Sequence, residues 1–138
     1  EELFDILVLG TMGSFHTNGV VLARSLFDKT GLFEESLPHH EDTCMWLKMA
    51  AVGRLKPGRL DRPVALRGIH QDNMTWKLRD DHNPHFEHFL ELMCAWGEEI
   101  GLDRKKMDLL RFRRWTQDVL GYSGRDALKL QRLQTTGP

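Results

Sequence analysis

The residues best suited to chemistry are Glu41 and Asp42, two acids side by side at the mouth of an apolar stretch and preceded by His39 and His40. Carboxylates in that place complement the positive end of a helix and cap its free amides, a contribution of about 0.3 to 2 kcal/mol. The same position serves a general base, because a carboxylate facing a cleft removes the proton of an acceptor hydroxyl, an effect of roughly 10²- to 10⁴-fold in rate. The helix end favours the ionised carboxylate, so it accepts the proton mainly once the hydroxyl has gained positive character by attacking an electrophilic carbon. Both readings stand on the pattern alone.

Other groups are weaker. His82, His85 and His88 recur every three residues, a spacing that drifts around a helix, so a zinc site competes with solvated or capping histidines. Cys44 lies among apolar neighbours with no activating partner in its own pattern, the setting of an inert thiol. Trp76 is an aromatic suited to stacking on a sugar or base, and equally to core packing. The loop Thr11 to Phe15, with Gly13 and Ser14 beside His16, permits close backbone approach to a ligand or simply connects two elements.

The elements that hold these residues follow from periodicity and punctuation. Leu3, Phe4, Leu7 and Val8 form a helical stripe, while Ile6 to Leu9 also suits a short strand; the short helix is favoured. Thr17, Val20 and Val21 suggest a strand with a bend at Asn18-Gly19, and a helix over about Ser25 to Lys29 ends before Gly31. From Thr43 to Val52 only Lys48 is charged, so that helix should be buried nearly all round, with Gly53 as its stop. Val64 and Leu66 resemble a second strand. Asn83-Pro84 opens a helix whose inner face carries Phe86, Phe89, Leu90, Met93, Cys94 and Gly97, and Gly101 closes it. Asp103 caps another helix through Leu120, and Ser123 with Asp126 starts a last one.

In order along the chain, VVLARSLF, GLFEE, EDTCMWLKMAAVG and ALRGIHQDN resemble the second half of a family 2 glycosyltransferase of the GT-A fold. The resemblance covers roughly residues 1 to 80. It implies an α/β fold: a partial GT-A-like half with few strands over 1–83, followed by a helical extension over 84–138. It implies an inverting transfer of a sugar from a nucleotide-sugar donor to a hydroxyl of a sugar or sugar-bearing lipid. Asp42 then corresponds to the catalytic base, with Glu41 beside it binding acceptor or orienting the loop. Gly13, Ser14, His16, Arg67 and Trp76 become substrate-binding candidates, and His70 a metal or diphosphate ligand. A divalent cation, Mg²⁺ or Mn²⁺, is expected in the complete enzyme to support the leaving diphosphate. The nucleotide-binding half and the family's Asp-x-Asp metal motif are absent here, so donor binding falls on no residue of this chain.

Composition bounds these readings. The 138 residues are 41% hydrophobic and 28% charged, with a formal net charge of -1, as in an ordinary folded domain. Two distant cysteines point to a reducing compartment, and the cytoplasm is the expected location. No apolar run approaches the roughly 20 residues that span a bilayer. From Arg104 onward nine Lys and Arg face three Asp, so the chain's acids are concentrated before that point. The basic tail, with Phe112, Trp115 and Tyr122 among its arginines, suits peripheral contact with the inner face of a membrane, a homodimer interface or packing on the rest of the chain. No nucleic-acid-binding motif accompanies it. The alternative function is therefore a non-catalytic helical interaction or membrane-surface module derived from a glycosyltransferase. Lacking an initiating Met and opening inside an element, the sequence reads as a fragment.

Overall fold

The computed structural model describes residues 2–10, 15–59, 61–66, 68 and 84–120. Among the described residues the α-helices are α1 (Leu3–Leu9), α2 (Phe27–Thr30), α3 (Glu41–Val52), α4 (Pro84–Glu99) and α5 (Arg104–Leu120), with 3-10 turns at Thr17–Gly19 and Arg24–Leu26. Several of the expected stops and starts act as read. Gly10 ends α1 in the left-handed conformation, and Gly101 follows α4 at φ 67°. Asp103 Oδ1 accepts the backbone N–H of Lys106 at 3.0 Å, which caps the first turn of α5. Gly31 follows α2 at φ 72° but with ψ -172°, an extended exit rather than a left-handed cap.

The expected α/β organisation is corrected by this structure: among the described residues there is no strand and no sheet. Around the first predicted strand, Thr17–Gly19 winds into a 3-10 turn. Val20 is extended (φ -116°, ψ 133°), and so is Ala23, but no second extended segment pairs with them. Extended backbone becomes a strand only when its N–H and C=O groups find a ladder, and β-branched residues supply the local preference without the partner. Val21 is accordingly fully exposed. Around Val64 and Leu66 the described residues 61–66 are likewise exposed and unpaired with any strand. The helix expected from Ser123, and the rest of the second strand, lie outside the described residues.

The helical extension and the earlier helices share one core. Phe4 and Val8 of α1, Cys44 and Leu47 of α3, Phe89, Leu90 and Met93 of α4, and Met107 and Leu110 of α5 pack together. Because α3 is apolar all round, it also buries a second side: Met45, Trp46 and Met49 pack under Phe15, Val20, Leu22, Leu26 and Phe27. Lys48, the one charge of that stretch, lies 8% exposed with its ammonium 5.7 Å from the Trp96 ring centroid, its aliphatic stem buried and its charge on a π-face. Gly97 lets α4 and α5 approach, since a Cβ there would sit 2.6 Å from Met107 Sδ. Asp5 of α1, 7% exposed, joins α1 to α5 through an ion pair of 2.7 Å with Lys105 Nζ.

Candidate functional site

Helix α3 begins with a backbone feature that its residue type does not announce. His40, immediately before Glu41, holds φ 68° and ψ 10°, and its C=O accepts the N–H of Cys44 at 2.8 Å, so the chain turns sharply into the helix at a non-glycine residue. Ring contacts hold it there: the imidazole meets Phe86 at 5.2 Å and Phe89 at 5.9 Å, while His39 meets His85 at 5.3 Å. Burial pushes the His40 pKa below the ordinary imidazole value, with Asp42 and Glu41 pulling the other way. The preceding GLFEE segment is fixed at both ends. Phe33 packs edge-on against Trp46 at 6.3 Å, and Ser36 Oγ, which also donates to Glu34 Oε1, lies 3.3 Å from His88 Nε2 on α4.

On this frame Glu41 and Asp42 stand half-buried in the first turn, and neither makes an ion pair among the described residues. The two oxygens of Asp42 divide the roles read from the sequence. Oδ1 accepts the Thr43 N–H at 2.6 Å and the Thr43 hydroxyl at 3.3 Å, which is the capping function. Oδ2 accepts no hydrogen bond among the described residues, so the carboxylate is anchored by one oxygen and retains a second as an acceptor. Beside it, Thr43 lines a cavity of about 290 Å³ between α1, α3, α4 and α5, whose walls include Leu7, Val8, Leu47, Phe86 and Arg113. Asp42 is the chain neighbour of Thr43 and is not itself among the residues that line the cavity.

His16, a substrate-binding candidate, is exposed before the first 3-10 turn, where its Nδ1 accepts the Asn18 N–H at 3.3 Å. Gly13, Ser14, Arg67, Trp76 and the metal candidate His70 lie outside the described residues, as does His82. His85 and His88 take separate partners, and among the described residues no group of three or more His, Cys, Asp or Glu could hold a metal. Cys44 is an inert thiol, buried 3.6 Å from Met93 Sδ with its pKa pushed up to about 11 by burial.

Thr43 and Arg113 are the cavity residues that sequence reading passed over. Arg113 is buried on α5 three residues after Leu110, a helical spacing that sets it beside that inward position. Its guanidinium carbon lies 4.7 Å from the Phe86 ring centroid and Nη1 lies 3.3 Å from Thr116 Oγ1. Among the described residues no helix is long and apolar enough to cross a membrane. No protein-family model matches the chain, and neither a curated protein nor a solved structure shows significant similarity to it.

Proposed function

We propose that this chain is the acceptor-side part of a glycosyltransferase and that Asp42 is its general base. The observation that carries the reading is the divided carboxylate of Asp42: one oxygen is bound by Thr43, the other accepts nothing among the described residues, and the next residue, Thr43, lines a cavity. The order of the four sequence segments supports the same reading independently of the fold. In the reaction, an acceptor oxygen attacks the anomeric carbon of a nucleotide sugar as the bond to the diphosphate breaks, with inversion, and the hydroxyl proton passes to Asp42 Oδ2. Glu41 adds negative charge beside the acceptor and orients the turn. The nucleotide sugar is held by residues beyond those described, and the reaction belongs to the cytoplasm.

The test is acceptor-dependent release of nucleoside diphosphate by the intact protein from a panel of nucleotide sugars. Release that needs a hydroxyl acceptor and disappears in Asp42→Asn supports the reading, and no acceptor-dependent release from any donor contradicts it. A second reading, a helical interaction module, draws on the exclusively helical described core and on the exposed apolar side chains Val21, Leu32 and Leu66. It predicts association with a partner or second copy without any transfer activity.

A further inference from the structure

Past the end of α3 the chain runs through Arg54, Lys56, Arg59 and Arg62, with Asp61 the one acid before Leu66. These charged residues are all exposed, and no helix or strand includes them. Among the described residues no ion pair engages Arg54, Lys56 or Arg59. The cations of α5 are placed differently: Lys105 reaches Asp5, Lys106 reaches Asp103, Arg111 reaches Glu98 and Arg114 reaches Glu91. Positive charge left in water is what a negative surface attracts. Apolar side chains stand among these cations: Leu55 is 60% exposed, Val64 62% and Leu66 91%. The segment is fixed where it begins, since a Cβ at Gly53 would lie 3.1 Å from Leu26 Cδ2. At Gly58 a Cβ would meet nothing within 4 Å, so the backbone there stands clear of the fold.

We propose that residues 54–66 are a docking surface for an anionic lipid bilayer, with Arg54, Lys56, Arg59 and Arg62 on the headgroups and Leu55, Val64 and Leu66 entering the interface. A bilayer surface accepts both kinds of side chain, because anionic headgroups attract Lys and Arg while the boundary with the acyl chains takes apolar groups. Backbone without helix or strand keeps its N–H and C=O groups hydrated at headgroup level, so the side chains alone go deeper. A nucleic acid would attract the same cations but offers the leucines nothing, and 54–66 has no aromatic side chain on which a base would stack. The surface goes beyond the Asp42 reading and stands whether or not the chain transfers sugar.

The test is co-sedimentation of the full 138-residue chain with mixed phosphatidylcholine–phosphatidylserine vesicles and with phosphatidylcholine vesicles, at low and physiological salt, with retention on poly(U) RNA measured in parallel. The chain should sediment with the phosphatidylserine vesicles and not with phosphatidylcholine alone, and salt should weaken the binding as screening shortens the reach of charge to about 8 Å at 0.15 M. Each cation near such a surface strengthens binding roughly fivefold. Arg54→Gln with Lys56→Gln, and separately Arg59→Gln with Arg62→Gln, should therefore each weaken it by about tenfold or more, and either pair decides if the other fails to fold. Leu55→Ser with Leu66→Ser should weaken the binding that remains at physiological salt. Equal sedimentation with both vesicle types, no sedimentation, binding unchanged in the charge pairs or in the leucine pair, or retention on RNA without vesicle binding would overturn the proposal.

Discussion

At the scale of single residues, the turn into α3 couples a strained backbone to a titratable ring. His40 sits at φ 68° with its imidazole against Phe86 and Phe89, facing Asp42, Glu41, His39 and His85. Because burial lowers its folded-state pKa below 6.5, the unfolded chain binds more protons as pH falls through that value. The contribution to stability is complete above pH 6.5 and declines below it, until the folded ring also protonates. Asn tolerates the left-handed region but carries no imidazole. His40→Asn should therefore lower the denaturation midpoint at pH 7.5, through lost ring contacts, and flatten its dependence on acid; an unchanged slope between pH 6.5 and 5 in urea titrations contradicts this. Glu41 and Asp42 were legible because two acids opposing an apolar run break its pattern. The left-handed His40 was not, since the rings of α4 that pack against it lie far along the chain. The same limit hid Asp5, whose partner Lys105 is 100 positions away.

At the scale of elements, α3 is the part whose sequence said most. A stretch with one charge in ten residues must be covered on more than one side, and two separate clusters do cover it. Leu47→Ala should cost about 2–5 kcal/mol in chemical denaturation, the range for truncating a buried leucine. Its stop is equally constrained. A Cβ at Gly53 would fall 2.7 Å from the Met49 carbonyl oxygen, backbone that is already accepting the Gly53 N–H. Gly53→Ala should thus destabilise by about 1–3 kcal/mol despite alanine's better helix propensity, and a gain in stability would show that the helix end relaxes freely. Helices were readable because their hydrogen bonds close within the segment and their caps are local residues such as Asp103. The two strands were misread because Val20–Val21 and Val64–Leu66 carry local strand preference, whereas a strand requires pairing that the segment itself does not contain.

At the scale of the molecule, the contrast between an acidic first part and a basic end resolves largely within the chain. Arg111 pairs with Glu98 and Arg114 with Glu91, both at 3.0 Å across α4 and α5, while Lys105 reaches Asp5 and Lys106 reaches Glu2 and Asp103. Exposed pairs of this kind contribute about 1 kcal/mol or less, so Glu91→Gln with Glu98→Gln should barely move the denaturation midpoint. It should nevertheless release the Arg111 guanidinium and leave Arg114 with Asp118, 3.5 Å away, in place of two acids. If the basic end serves an anionic lipid surface, the double variant should sediment more strongly with phosphatidylserine vesicles at low salt than the unaltered chain, and equal sedimentation removes that role. The cavity between α1, α3, α4 and α5, and with it the proximity of Thr43 to Arg113, belongs to this scale and was beyond reach of a linear reading. The central claim, that Asp42 rather than Glu41 takes the acceptor proton, is tested most directly by measuring kcat for Asp42→Asn and Glu41→Gln in the intact protein alongside nucleotide-sugar binding. Asp42→Asn should lower kcat by about 10²- to 10⁴-fold with donor affinity retained, and Glu41→Gln by much less. Near-normal turnover in Asp42→Asn would contradict the account.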